Sequence, residues 1–77
     1  MSDELLETLA EAAHDVWMEG KFRGGWRFAP VTDKPNKLHA CLRPYNELSE
    51  ADKQSDRDLV IGIPDILAKA GLKIVPV

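Results

Sequence analysis

Glycine and proline punctuation constrains this chain more than any other feature. Gly20, Gly24, Gly25, Pro30, Pro35 and Pro44 cut its middle into pieces of a few residues, leaving room for long regular structure only before Gly20 and after Pro44. In the first of these stretches, Asp3 to Glu19, the apolar residues Leu5, Leu6, Leu9, Ala13, Val16 and Trp17 recur at helical spacing. Ser2 supplies an N-cap, Asp3 and Glu4 complement the positive end of the helix dipole, and Gly20 is the expected stop. A chain of 77 residues buries only about 60% of its unfolded surface, so these pieces must share one core, and the whole of residues 1–77 reads as a single domain. Multidomain enzymes are excluded.

Charge is as segregated as the punctuation. Asp3, Glu7, Glu11, Asp15 and Glu19 stand four apart on the first helix, where like charges disfavour an isolated helix by about 0.2–0.5 kcal/mol per pair. This line is either a solvated face, a partner surface or the counterpart of a basic segment within the chain. Residues 1–20 carry six acids and no base, whereas residues 21–43 carry Lys21, Arg23, Arg27, Lys34, Lys37 and Arg43 against Asp33 alone, a net +5. The overall charge of −3 is a cancellation.

Within the basic segment, Gly24-Gly25 reads as a turn, Trp26-Arg27-Phe28 as a short strand ended by Pro30, and Asp33 to Asn36 as a surface turn around Pro35. Leu38 to Leu42 is a second short strand or an extended loop, and Pro44 pushes Arg43 out of helical geometry. Ser49, with Asp52 three residues on, opens a second helix. Its expected core face is Leu59, Ile63, Ile66, Leu67 and Ala70, with a kink or two abutting helices expected near Gly62 and Pro64 and a stop at Gly71. Leu72 to Val75 reads as a closing strand with Leu72 and Ile74 on one side. This order of elements is an α+β domain with a very small sheet.

Cys41 alone offers no intramolecular disulfide, and with His14 and His39 it leaves too few ligands for a structural zinc site, which points to a reducing compartment. No apolar run approaches the roughly 20 residues that span a bilayer, and the acidic start from Met1 to Glu7 is unlike a signal peptide. A cytoplasmic location is expected. The start at Met1 suits a whole small protein and an excised domain equally.

Catalytic chemistry has little to stand on. Cys41 with His39 is the one pair suggestive of a nucleophile and base, but Cys41 lies between Ala40 and Leu42 and reads more simply as a small buried hydrophobe. Gly24-Gly25 lacks the spacing and lysine of a phosphate-cradling loop, and no carboxylate pair stands out. The expectation is no enzyme and no cofactor. Binding is better supported: Trp26 follows two glycines amid cationic residues, and aromatic faces take nucleobases at about 1–3 kcal/mol per stack while arginine or lysine neutralises phosphate. Trp26 is therefore either a ligand platform or core, whereas Trp17 reads as core, His14 as a packing histidine and Tyr45 as a packing lid or site wall.

Leu9-Ala10-Glu11, His14, Trp17, Lys21, Gly25-Trp26-Arg27-Phe28, Asp33, Lys37, His39, Cys41-Leu42, Pro44-Tyr45 and Leu48 together resemble the ryanodine-receptor repeat, or RyR domain, from about Leu9 to Val75. Ala29 stands where that family commonly has glycine, Phe28 where it has tyrosine, and Ala40 where a proline often follows the histidine. The resemblance implies helices against a small antiparallel sheet, no enzymatic activity, and the single-copy type found in bacteria and phages. It also implies an adenine-nucleotide site like that between paired repeats of the channels, with Trp26 stacking on the base, which in a single-repeat chain requires a homodimer. Charge and position extend the site to Arg27, Lys37, His39, Arg43 and Tyr45.

Two functions follow as expectations. The first is a module binding a small anionic, nucleotide-derived ligand at Trp26 and its cations. The alternative is a structural interaction or oligomerisation module in which the acidic stripe docks on a basic segment. Nucleic acid is disfavoured as a partner because the acidic helix would repel a polyanion.

Overall fold

The computed structural model describes residues 2–73 and 75. Helix α1 (Asp3–Arg23) begins where the sequence predicts, the Ser2 hydroxyl accepting the Leu5 N–H at 3.1 Å. It runs one turn past Gly20, to the point where a left-handed residue and partners for its last carbonyls are in place. Those are supplied further on: Gly25 takes φ +88°, its N–H donates to the Phe22 carbonyl, and the Trp26 N–H donates to that of Lys21, both at 3.0 Å. This paired closure places Trp26 directly over the last turn of α1.

Two minimal strands follow, β1 (Arg27–Phe28) and β2 (Leu38–His39), with Arg27 opposite Leu38 and Phe28 opposite His39. They are parallel, which corrects the antiparallel sheet expected above. The reason lies in the number of reversals. One is the 3₁₀ turn Lys34–Asn36, which brings Asp33 antiparallel to Leu38, and the other is the bend at Pro30-Val31. Two reversals restore the original direction.

A second 3₁₀ turn, Tyr45–Glu47, leads to helix α2 (Glu50–Lys69), whose N-cap Ser49 accepts from the Asp52 N–H at 3.2 Å. α2 passes Gly62 and Pro64 as one element and not as two abutting helices. It closes as α1 does, with Gly71 at φ +78° and the Leu72 N–H on the Leu67 carbonyl at 2.8 Å. The expected closing strand does not form at Leu72, Lys73 or Val75, and Ile74 lies outside the described residues. Among the described residues no helix is long and apolar enough to cross a membrane.

The core sits where α1 and α2 cross, from Ala10, Tyr45, Leu48 and Val60, with Leu6, Ala13 and Cys41 packed against it. The acidic stripe is divided by this crossing. Glu7 turns toward α2, pairing with the Arg57 guanidinium and accepting the Tyr45 hydroxyl at 3.1 Å, while Arg57 also reaches Glu50 at 3.1 Å. The intramolecular counterpart of that acid is thus Arg57, outside the basic segment. Glu11, Asp15 and Glu19 remain exposed.

Candidate functional site

On α1, His14, Trp17 and Lys21 are spaced i, i+3 and i+7 and share one face, onto which β2 brings His39 and the helix closure brings Trp26. The rings form a continuous series. His14 stacks on Trp17 (centroids 5.5 Å apart, 28° between planes), Trp17 meets His39 edge-on at 5.0 Å, and His39 lies 6.2 Å from Trp26. Tyr45 ends the series on the core side, 6.3 Å from His14. At the other end the Lys21 ammonium stands 4.4 Å from the Trp26 ring and 5.8 Å from Trp17. Contacts of this kind contribute about 0.5–1 kcal/mol at exposed sites.

The face opens into a pocket of about 190 Å³ between the two helices. Trp17, His14 and His39 form its aromatic wall, and Asp52, Ser55 and Asp56, spaced i, i+3 and i+4 on α2, form the polar wall opposite. Burial pushes the Asp56 carboxyl above its usual range, and the nearby His14 opposes that shift.

His14 is the anchor of this arrangement and is 2% exposed. Its Nε2 lies 2.7 Å from the Arg43 carbonyl oxygen, so Nε2 carries a hydrogen and donates. Its Nδ1 faces Asp56 Oδ2 at 3.4 Å, a contact that is attractive only with a proton on one of the two. His39 is held differently: its Nδ1 accepts the Cys41 backbone N–H at 3.0 Å, which leaves the hydrogen on Nε2. Burial, helped by Lys21 and Lys34, holds His39 below the usual histidine range, so it is neutral at pH 7. Cys41 and His39 are therefore linked through a backbone amide and not through the thiol. Burial raises the Cys41 thiol, with Asp52 adding to the shift, the reverse of what a nucleophile requires.

The six residues singled out from sequence separate into three groups. Trp26, Arg27, Lys37 and His39 come together: Trp26 is half-buried, the Arg27 guanidinium donates to the Trp26 carbonyl at 2.8 Å, and the Lys37 ammonium donates to that of Gly24 at 3.0 Å. Arg43 is held by other partners, its guanidinium 4.8 Å from the Phe28 ring and its Nε donating to the Ala40 carbonyl at 2.9 Å. Tyr45 is buried in the core as a packing residue, and its burial and the bond to Glu7 raise its hydroxyl pKa. The sequence reading missed Lys21 and the pocket wall of Trp17, Asp52, Ser55 and Asp56. Their common faces on the two helices are visible as spacings, but nothing in the sequence says that those faces oppose each other.

The Trp26 indole, with the Lys21 ammonium over it, thus stands beside a small aromatic pocket on a two-helix α+β frame. The family model described as RyR domain matches residues 1–76, and the chain belongs to the RyR domain family. That domain is not a known catalytic family.

Proposed function

We propose that the protein is a cytoplasmic, non-catalytic ligand-binding module that takes a small anionic ligand bearing a planar base, of the adenine-nucleotide type. The observation that carries this reading is the Trp26 ring, half-exposed, with the Lys21 ammonium 4.4 Å from it and Arg27 and Lys37 tied to the carbonyls of Trp26 and Gly24. A base stacks on the indole, and Lys21, Arg27 and Lys37 meet the phosphate. Each of these cations is already held by a ring or a carbonyl, so less side-chain freedom is lost on binding than from a free surface lysine. His39, neutral and with its Nε2–H unclaimed by the Cys41 contact, offers a donor between Trp26 and the pocket. The Arg43 guanidinium is held at the Phe28 ring and the Ala40 carbonyl, and Tyr45, buried in the core, supports the site from behind.

Calorimetric titration with ATP and cyclic di-AMP tests the proposal. Saturable binding with quenching of tryptophan fluorescence is expected, weakened about 5- to 150-fold by Trp26→Ala, the range for loss of one stacked base. Lys21→Ala should weaken binding and flatten its salt dependence. Absence of heat and of fluorescence change with both ligands refutes the reading, as does binding that Trp26→Ala leaves untouched.

A further inference from the structure

The pocket between the two helices has the opposite chemistry to the cations around Trp26, because its polar wall presents acceptors only. Asp52 and Asp56 contribute carboxylates. The Ser55 hydroxyl donates back along α2 to the Ala51 carbonyl at 3.4 Å, so only its oxygen lone pairs remain for the pocket. His14 adds to this set. With its hydrogen on Nε2 and committed to the Arg43 carbonyl, the neutral ring turns a lone pair on Nδ1 toward Asp56 Oδ2, 3.4 Å away. Two acceptors at that distance need a donor between them, the more so because His14 is 2% exposed and water screens the contact poorly.

Charge is unbalanced here too. Glu7 and Glu50 share Arg57, and Glu50 also holds Lys53, whereas among the described residues no lysine or arginine pairs with Asp52 or Asp56. Burial is the main reason that the Cys41 thiol and the Asp56 carboxyl are pushed up, and the Asp52 charge adds to both, so its field reaches across the pocket. The lining from Trp17, His39, Ala13, Leu48 and Leu59 is aromatic or apolar. Among the described residues no three His, Cys, Asp or Glu side chains converge as metal ligands, so the walls suit a positive charge that brings its own apolar body.

We infer that this pocket binds a small organic cation, a primary ammonium on a short apolar body, with the ammonium among Asp52, Asp56 and His14 Nδ1 and the carbon body against Trp17 and His39. An ammonium has three N–H donors and no acceptor, the complement of this wall. A nitrogen about 2.9 Å from both His14 Nδ1 and Asp56 Oδ2 can give one N–H to each across the gap, with the third left for Asp52 or Ser55. Carbons next to an ammonium share its charge and favour an aromatic wall. Volume sets the size: a cavity of about 150 Å³ takes one benzene ring, so this pocket of about 190 Å³ holds a ring with a short ammonium arm. None of Lys21, Arg27 and Lys37 lines the pocket, so this site and the one at Trp26 are tested with ligands of opposite charge.

Benzylamine, benzyl alcohol and tetramethylammonium are the probes, titrated into the full chain at pH 7 and followed by NMR of the backbone amides and tryptophan indoles. Benzylamine should bind saturably, with shifts centred on Trp17, Ser55 and Asp56. Benzyl alcohol, which has the shape without the charge, and tetramethylammonium, which has the charge without an N–H, should each bind about tenfold more weakly or worse. Asp56→Asn should weaken benzylamine binding about tenfold or more, as expected for a lost hydrogen bond to a charged group. Asp52→Asn, at an exposed position that leaves His14 undisturbed, should weaken it about two- to fivefold. Absence of saturable binding overturns the inference, as does equal binding of benzyl alcohol or indifference to both substitutions. Tetramethylammonium binding as tightly as benzylamine overturns the assignment of the N–H donors.

Discussion

Replacing His14 by phenylalanine isolates the polar anchor of the fold from its shape. The ring survives, as does packing between Trp17 and Tyr45, whose centroids stand 5.5 and 6.3 Å from that of His14. What is lost is the 2.7 Å bond to the Arg43 carbonyl and the 3.4 Å contact with Asp56. The carbonyl loses its partner beneath a side chain that is 3% exposed, and a buried acceptor left unpaired costs about 1–3 kcal/mol. The Asp56 carboxylate keeps access to water at 20% exposure, so its share is discounted. The net expectation is about 2 kcal/mol, which in a domain of this size corresponds to about 8–16 °C in Tm. Urea unfolding followed by the fluorescence of Trp17 and Trp26 measures it, with the slope of the transition unchanged from wild type. A loss below about 0.5 kcal/mol, within the scatter of ordinary surface substitutions, would show that the His14 bonds do not hold the Arg43 segment and would refute the reasoning.

The Arg57 pairing holds the Glu7 carboxyl below its usual value, so its stabilising effect is present above the unfolded-state pKa near 4.5 and is lost as pH falls through the lower folded value. Glu7→Gln should remove that part of the acid limb from a pH series of melting temperatures, and an unaltered limb would contradict the pairing. Gly25→Ala, at φ +88°, should cost about 1 kcal/mol and loosen the seat of Trp26, whereas Gly20→Ala, inside α1 with its nearest contact the Arg23 guanidinium at 3.9 Å, should stabilise by about 0.5–1 kcal/mol. Equal signs at the two glycines would disprove the assigned helix end. Val60→Ala, at the α1–α2 crossing, should cost about 2 kcal/mol by denaturant unfolding, from lost apolar burial plus a residual cavity.

Much of the frame is local and therefore legible from the residues. Both N-caps are single hydroxyls acting over three residues, and the segment between the helices is broken by glycine and proline into pieces too short for anything but minimal strands; the apolar period did not give the buried faces, since Leu5, Leu9, Val16, Leu59, Ile63 and Ile66 are exposed while Ala10, His14 and Val60 are buried. Gly20 misled because a glycine ends a helix only where the following residues can close over the last carbonyls, and Gly25 and Trp26 do this one turn later. The sheet direction also escaped, since it depends on counting reversals, and the bend at Pro30-Val31 carries no more signal than a strand end.

The site divides along the same line. Sequence alone was sufficient to place Arg27 and Lys37 beside the Gly24–Trp26 turn, because turn chemistry, charge and a short loop keep these residues close in the chain as well as in space. Whether Tyr45 faced a ligand or the core, which cation reached the indole, and that Trp17 would face Asp52 and Asp56 across a pocket were decided only when α1 and α2 crossed at Ala10 and Val60. Spacing along one helix fixes which side chains share a face. The partner of that face is set by packing between segments some forty residues apart, which no local pattern encodes.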